Sequence, residues 1–367
     1  MKIKINSIAI LVFLFIVALS CSQRETDWRG TIEERGGVII VKNPKEPLYD
    51  NQKISFEENL LLGDSKQGDE YLFNVVVYVV VDDRGRIYVA DSNENHIKIF
   101  DKEGKYLKTF GRKGQAPGEF DYIYKLQISP QKELVVYDGY RKSLSFFTLE
   151  GHFIRSISIL KSHPYNFRVD SKNNIYIHSI YMNMDSKTEI HAISFYDSDM
   201  NFVTEVAKTA PRDWSIPFLP GIWWTLDDRD NLLYGFNKSY ELLLLGPDGK
   251  LKMKIAKDFE PVEVPKEERE KRIKNMRIEK VKNIPRIYPA YNWFIFDDEG
   301  RVIIKTWKRG EKDNEFFYDI FSSEGKYIFN ILLKGRPIVW KNNNLYSIEE
   351  DEEGYDVVKR YKITWNY

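Results

Sequence analysis

Short apolar runs separated by tight polar turns recur along most of the chain, and they are clearest across residues 79–120. There, runs at 79–81 and 87–90 flank Asp82-Asp83-Arg84-Gly85, and runs at 97–100 and 106–110 flank Asp101-Lys102-Glu103-Gly104. Asp with Gly between such runs signals a hairpin, because Gly takes the positive φ that a tight turn requires. One copy of the pattern therefore predicts four short antiparallel strands.

Coarser copies follow it. The first turn of successive copies falls at Gly85, Lys132, Asn173, Asp230, Gly300 and Asn343, and the second at Gly104, Gly151, Met200, Gly249 and Gly325. First turns are 41 to 70 residues apart, while the second follows the first after 19 to 27. Regular turns, with variation confined to the linkers, are what radial repetition of four-stranded sheets produces. The last copy is one strand short, and the apolar stretch at 54–62 supplies the missing outer strand. The expected fold is all-β: a six-bladed β-propeller of four-stranded antiparallel blades over residues 37–367, its ring closed by an N-terminal strand. A strand at 38–41 has no assigned path.

One segment breaks the pattern. Residues 261–290 form an insertion between blades 4 and 5, and 265–284 within it read as a helix. Pro265 opens it, Glu267, Glu268 and Glu270 occupy its first turn, Lys280 and Lys282 its last, and Pro285 stops it. Glu267 with Lys271, Glu268 with Arg272 and Glu270 with Lys274 are spaced to pair along one face.

The sequences Ile-Tyr-Val-Ala-Asp at 87–91, Ile-Lys-Ile-Phe-Asp at 97–101 and, above all, Gly-Arg-Lys-Gly-Gln-Ala-Pro-Gly-Glu-Phe at 111–120 resemble NHL-type repeats and the six-bladed propeller lipoproteins of Bacteroidetes-like bacteria. The resemblance is crisp only in the first blade, since Lys132 and Asp230 replace the turn Gly in later copies. It implies the propeller fold and, for function, binding roles with a few enzymes on the same scaffold.

The N-terminus changes the expected address. Lys2 and Lys4 precede an apolar run at 8–19 that is too short for a stable membrane span, and the run ends in Ala-Leu-Ser-Cys, with Cys21 the only cysteine in the chain. This resembles a lipobox, which implies that residues 1–20 are a signal peptide, that Cys21 is lipidated and that 21–36 form a tether. The expected location is the bacterial cell envelope, on the outer membrane, with the membrane as one partner through the lipid anchor. A lone cysteine leaves the fold without an internal disulfide. Formal charge is balanced, 55 basic against 55 acidic residues, which argues against nucleic acid as a partner. The 14% aromatic content supplies a large core, and a monomer is expected.

In a propeller, the hairpins between second and third strands share a face with the crossings between blades. Extra length accumulates on that face, at 178–191, 305–312 and in the helix, so it is the expected ligand face. Candidate ligand-binding residues are Arg112, Arg141, His178, Tyr181, Trp307 and Arg309, acting by aromatic stacking and charge on a protein, peptide or glycan, without a cofactor. The alternative is a metal-dependent lyase or hydrolase with calcium or zinc at the channel mouth. Its ligands would be Asp91, Asp138 and Glu349, each six residues after the first turn of its blade, where capping of a turn is the competing role. His163, His178 and His191 lack the spacing of a zinc site. No catalytic constellation is legible.

Overall fold

The structure, a computed structural model, describes residues 28–159, 164–274, 284–312 and 314–366. The expected signal peptide, Cys21, the start of the tether and His163 lie outside the described residues.

Six antiparallel sheets follow one another around a ring. Blade 1 consists of Val76–Val81, Ile87–Asp91, His96–Phe100 and Tyr106–Phe110; blade 2 of Ile123–Ile128, Glu133–Asp138, Ser143–Thr148 and Phe153–Ser158. Blade 3 has Pro164–Val169, Ile175–Asn183, Thr188–Tyr196 and Phe202–Lys208, with the two-residue strand Arg212–Asp213 beside its third strand. Blade 4 has Ile222–Leu226, Leu232–Phe236, Glu241–Leu245 and Leu251–Lys257, and blade 5 has Trp293–Phe296, Val302–Arg309, Glu315–Phe321 and Tyr327–Lys334. Blade 6 combines Arg336–Lys341, Asn344–Glu350 and Asp356–Trp365 with Ile54–Leu62 from the other end of the sequence, which pairs antiparallel from Trp365↔Ile54 to Val358↔Leu62. The ring is thus closed by the strand that the pattern predicted.

The turns carry the repeat. Every predicted first-turn residue has positive φ, including the non-glycines Lys132, Asn173, Asp230 and Asn343, and so does every predicted second-turn residue, Met200 among them. In four of the blades an Asp at the start of the turn compensates, and in blade 2 Ser129 takes its place. The Asp82 Oδ1 atom accepts from the backbone N–H of Arg84 and Arg86, and Asp170, Asp227 and Asp297 repeat the arrangement in blades 3, 4 and 5. Apolar residues of adjacent blades meet in clusters, such as Tyr88, Phe110, Phe120, Ile123 and Phe147 between blades 1 and 2. Gly111 opens that linker at φ +81°, where a Cβ would lie 2.4 Å from the Phe120 ring.

Two features differ from the expectation. The strand Val38–Asn43, together with Thr31–Arg35 from the stretch read as tether, runs along the outside of blade 4 and makes it a six-stranded sheet. Val38–Asn43 pairs parallel with Leu251–Lys257, so the outer edge of that blade is covered. Trp28 and Asn43 fasten this addition: Trp28 Nε1 donates to Asn43 Oδ1, and Asn43 Nδ2 donates to the Gly325 carbonyl of blade 5. The insertion helix is seen over Lys266–Lys274 and buries none of its residues; residues 275–283, among them Lys280 and Lys282 of the expected last turn, lie outside the described residues. No described helix is long and apolar enough to cross a membrane.

Candidate functional site

A cleft of about 680 Å³ opens on the face that carries the second-to-third-strand hairpins and the blade crossings. Blades 3, 4 and 5 form its walls, and Glu268 and Arg272 of the helix stand at its rim. This volume is within the range of sites that enclose a small molecule or part of a larger one.

One wall is aromatic. Trp307 is half-buried and stacks on Tyr288 with ring centroids 4.3 Å apart, while Phe218 meets Tyr288 edge-on at 5.3 Å. Phe218 sits at φ +61°, an uncommon conformation for a bulky residue, and it lines the cleft. Tyr165 packs edge-on against both Trp223 and His178.

The blade 3 wall is polar. The His178 and His191 side chains face each other from paired strands, with Nε2 of the first 3.0 Å from Nδ1 of the second. Arg212 Nη2 lies 2.7 Å from both His191 Nε2 and Glu189 Oε1. Burial pushes the His178 imidazole down to about 3, and the nearby His191, Arg212 and Lys125 push in the same direction. Burial and Arg212 also lower His191, despite the opposing pull of Glu189. Both rings are therefore neutral near pH 7, one donating to the other. Tyr288 is pushed up to about 12 by burial and by its hydrogen bond to Glu268.

The predicted ligand residues divide into two groups. His178 and Trp307 line the cleft, and Arg309 holds its rim by donating to Glu268 at 2.8 Å. Arg112, Arg141 and Tyr181 do not line it. Arg112 pairs with Glu119 at 2.7 Å, and Arg141 donates to the backbone carbonyls of Glu119 and Gly114, so both serve the blade 1–2 linker. Tyr181 stands on the blade 3 hairpin with its hydroxyl 3.3 Å from Ser194 Oγ. The stretches 178–191 and 305–312, read as loops, are largely extensions of strands, and Trp307 sits where the register of blade 5 shifts.

The three carboxylates of the metal reading are not brought together, and among the described residues no group of three or more His, Cys, Asp or Glu is placed to hold a metal ion. Asp91 accepts from the backbone N–H of Asn74, Val75, Asn93 and Glu94; Asp138 accepts from Asp121, Tyr122, Tyr140 and Arg141 in the same way. Each side chain joins its own hairpin turn to the incoming linker. Glu349 accepts from the Tyr361 hydroxyl at 2.7 Å, with Lys334 and Lys359 about its other oxygen.

Sequence reasoning did not select Tyr165, Arg212, Phe218 or Arg272 for the site. The available signal was the crossing at 214–224, where three Trp, one Phe and two Pro fall within eleven residues. The Glu268–Arg272 pair is also not formed, because Glu268 turns instead to Tyr288 and Arg309.

The family described as Domain of unknown function (DUF4934) matches residues 67–346. The chain belongs to that family. A solved protein of Bacteroides fragilis, described as exported, matches with a TM-score of 0.56 at 10% identity, over 88% of this chain and 99% of its own. A member of the DUF4221 family from Bacteroides vulgatus matches with a TM-score of 0.51 at 14% identity, over 85% and 98%. These likenesses show the propeller fold and nothing finer. A virginiamycin B lyase from Staphylococcus aureus reaches only 0.46 at 12% identity, over 84% and 99%, too slight a likeness to bear on function. No curated protein matches the chain.

Proposed function

We propose that this protein is a binding module, held at the cell envelope through a lipid on Cys21, which receives a peptide, glycan or partner protein in the cleft between blades 3, 4 and 5. The observation that carries the reading is the cleft's construction: an aromatic wall of Trp307 and Phe218, both braced by the buried ring of Tyr288, stands with a wall of fixed hydrogen-bonding groups. Flat rings held by their neighbours present contact area without losing rotamer freedom on binding, which favours affinity. The metal-dependent enzyme would need Asp91, Asp138 and Glu349 on one ion. They belong to three different blades, and the first two are already occupied by backbone donors.

The test compares the double variant Trp307→Ala/Arg309→Ala with Asp91→Asn/Asp138→Asn for retention of glycans, peptides and envelope proteins, alongside the metal content of the wild type. Loss in the first variant alone supports the binding module. Loss in the second alone, with stoichiometric calcium or zinc in the wild type, overturns it in favour of the enzyme. The anchor is tested separately: Cys21→Ala should release the protein from membranes, and retention after a high-salt wash would refute the lipid attachment.

A further inference from the structure

The cleft's two walls differ in charge as well as in shape. On the blade 3 side, Arg212 and His191 share the carboxylate of Glu189. Outside the cleft lining, Lys125 is buried on the inner strand of blade 2, donates to Asn166 Oδ1 and lies 5.3 Å from the Tyr78 ring centroid, with no ion pair to an acidic side chain among the described residues. Arg168 stands near it, and also reaches Asn166. Burial and that neighbouring charge hold the Lys125 ammonium well below the usual lysine range. Such burial favours the neutral amine, and Lys125 does not line the cleft, so the positive charge available there is that of Arg212 and Arg272.

Both arginines retain capacity for an anion. Arg212 spends Nη1 on the carbonyls of Leu219 and Pro220, yet its Nε is buried and has no hydrogen-bond partner. Arg272, exposed on the helix at the cleft's rim, makes no ion pair among the described residues. The acidic group at the rim, Glu268, is already held by Arg309 and Tyr288.

The backbone around the cleft offers little to a peptide strand. A peptide strand is recognised through free N–H and C=O groups at a sheet edge. Here Gly221 both donates to Asn237 Oδ1 and accepts from the Asn237 N–H, the Leu219 and Pro220 carbonyls are taken by Arg212, and Pro217 and Pro289 have no N–H to offer. What remains available is ring faces, side-chain donors and positive charge. The buried Nε1 of Trp307, a donor without a partner, adds to these.

Resting on the reading of the cleft as a binding site, we propose that its ligand is an acidic saccharide, with a sugar ring against the Trp307–Phe218 side and a carboxylate directed to the arginines, Arg272 at the rim and Arg212 on the blade 3 wall. Pyranose rings present apolar C–H faces that stack on aromatic side chains, and guanidinium groups take carboxylates through paired N–H donors.

The test uses the full chain in detergent on an array of uronic-acid oligosaccharides, each printed beside its carboxyl-reduced, neutral counterpart, with neutral glycans and acidic peptides on the same surface. Binding should be confined to carboxylate-bearing saccharides and fall at least about tenfold on carboxyl reduction. Arg272→Ala, an exposed position that leaves the fold intact, should weaken acidic glycans by about tenfold and reduce the salt dependence of binding. Phe218→Ala should abolish binding of every saccharide. Equal binding of acidic and reduced forms, preference for acidic peptides, or no glycan binding at all would overturn the inference. If no glycan binds but Trp307→Ala/Arg309→Ala still loses envelope proteins or peptides, the binding module stands and only the acidic saccharide falls.

Discussion

The Trp307 ring of blade 5 lies flat against Tyr288 of the preceding insertion, with the two planes 1° apart. This stack continues into a small polar hub, because the Tyr288 hydroxyl and Arg309 Nη2 both donate to the same carboxylate oxygen of Glu268 on the helix, at 2.7 and 2.8 Å. A helix with no buried residue of its own is fastened to the propeller through that oxygen.

Glu268→Ala should therefore loosen the helix without unfolding the ring. Partly exposed ion pairs contribute only about 0.2–1 kcal/mol, so global stability should change by no more than that. Amide hydrogen exchange across 269–274 should nevertheless accelerate by up to about fivefold relative to wild type, while exchange in blade 5 stays unchanged. Unaltered protection in the helix would show that Glu268 is not its attachment.

Asp138 makes a sharper prediction. Its fully buried carboxylate accepts four backbone N–H groups, two from the incoming linker and two from its own turn. Asp138→Ala orphans those donors and should cost about 2–4 kcal/mol in urea unfolding; Asp138→Asn, which keeps one acceptor oxygen, should cost less. Chelator should not alter the wild-type midpoint. A calcium- or zinc-dependent midpoint that Asp138→Ala removes would instead make this residue a metal ligand.

Turn spacing predicts six blades because a tight turn places strict demands on a few residues: positive φ at one and a capping Asp three residues earlier, as in Asp82 with Gly85 or Asp227 with Asp230. Such local rules survive in sequence even where Lys132 or Met200 stands in place of Gly. The cleft obeys no local rule. His178 meets His191 through strand pairing, Arg212 arrives from a crossing, and Trp307 finds Tyr288 nineteen residues away through the insertion. Arg112 and Arg141 belong to the linker between blades 1 and 2, which takes their hydrogen bonds. Gly36-Gly37 turns Thr31–Arg35 back on Val38–Asn43, but nothing local ties that hairpin to blade 4, since the parallel addition of Val38–Asn43 at an outer edge requires no tight connection.

Acid should weaken the fold through His178. In the unfolded chain its imidazole protonates near pH 6.5, whereas in the folded protein burial holds it down to about 3. Between those values the unfolded state binds the extra proton, so stability is complete above about pH 6.5 and falls as pH drops toward 3, by up to about 1.4 kcal/mol per pH unit for this group. His191, also lowered, adds to the same slope, and Glu189 opposes it. Urea unfolding between pH 4.5 and 7 should show a shallower pH dependence in His178→Asn than in wild type. Identical slopes would mean that His178 is protonated in the folded protein.

Closure of the ring gives the last prediction. Ile54–Leu62 supplies the outer strand of blade 6, with Ile54 and Leu62 buried and Phe56 edge-on to Trp340. A chain beginning at Asn74 loses that strand and leaves Asp356–Trp365 as an unpaired edge of ten residues, a template for pairing between molecules. It should aggregate, but the truncation also removes Val38–Asn43 and so uncovers blade 4. A cross-link separates the two effects. Ser55 and Thr364 are opposite each other in the register, so Ser55→Cys/Thr364→Cys in a Cys21→Ala background can form a disulfide across the closing pair alone. Oxidation should raise the thermal midpoint relative to the reduced form, because the two ends of the ring can no longer part. If the oxidised and reduced forms melt together, and the truncated chain is monomeric with the stability of the full domain, opening of blade 6 is not the step by which the propeller unfolds.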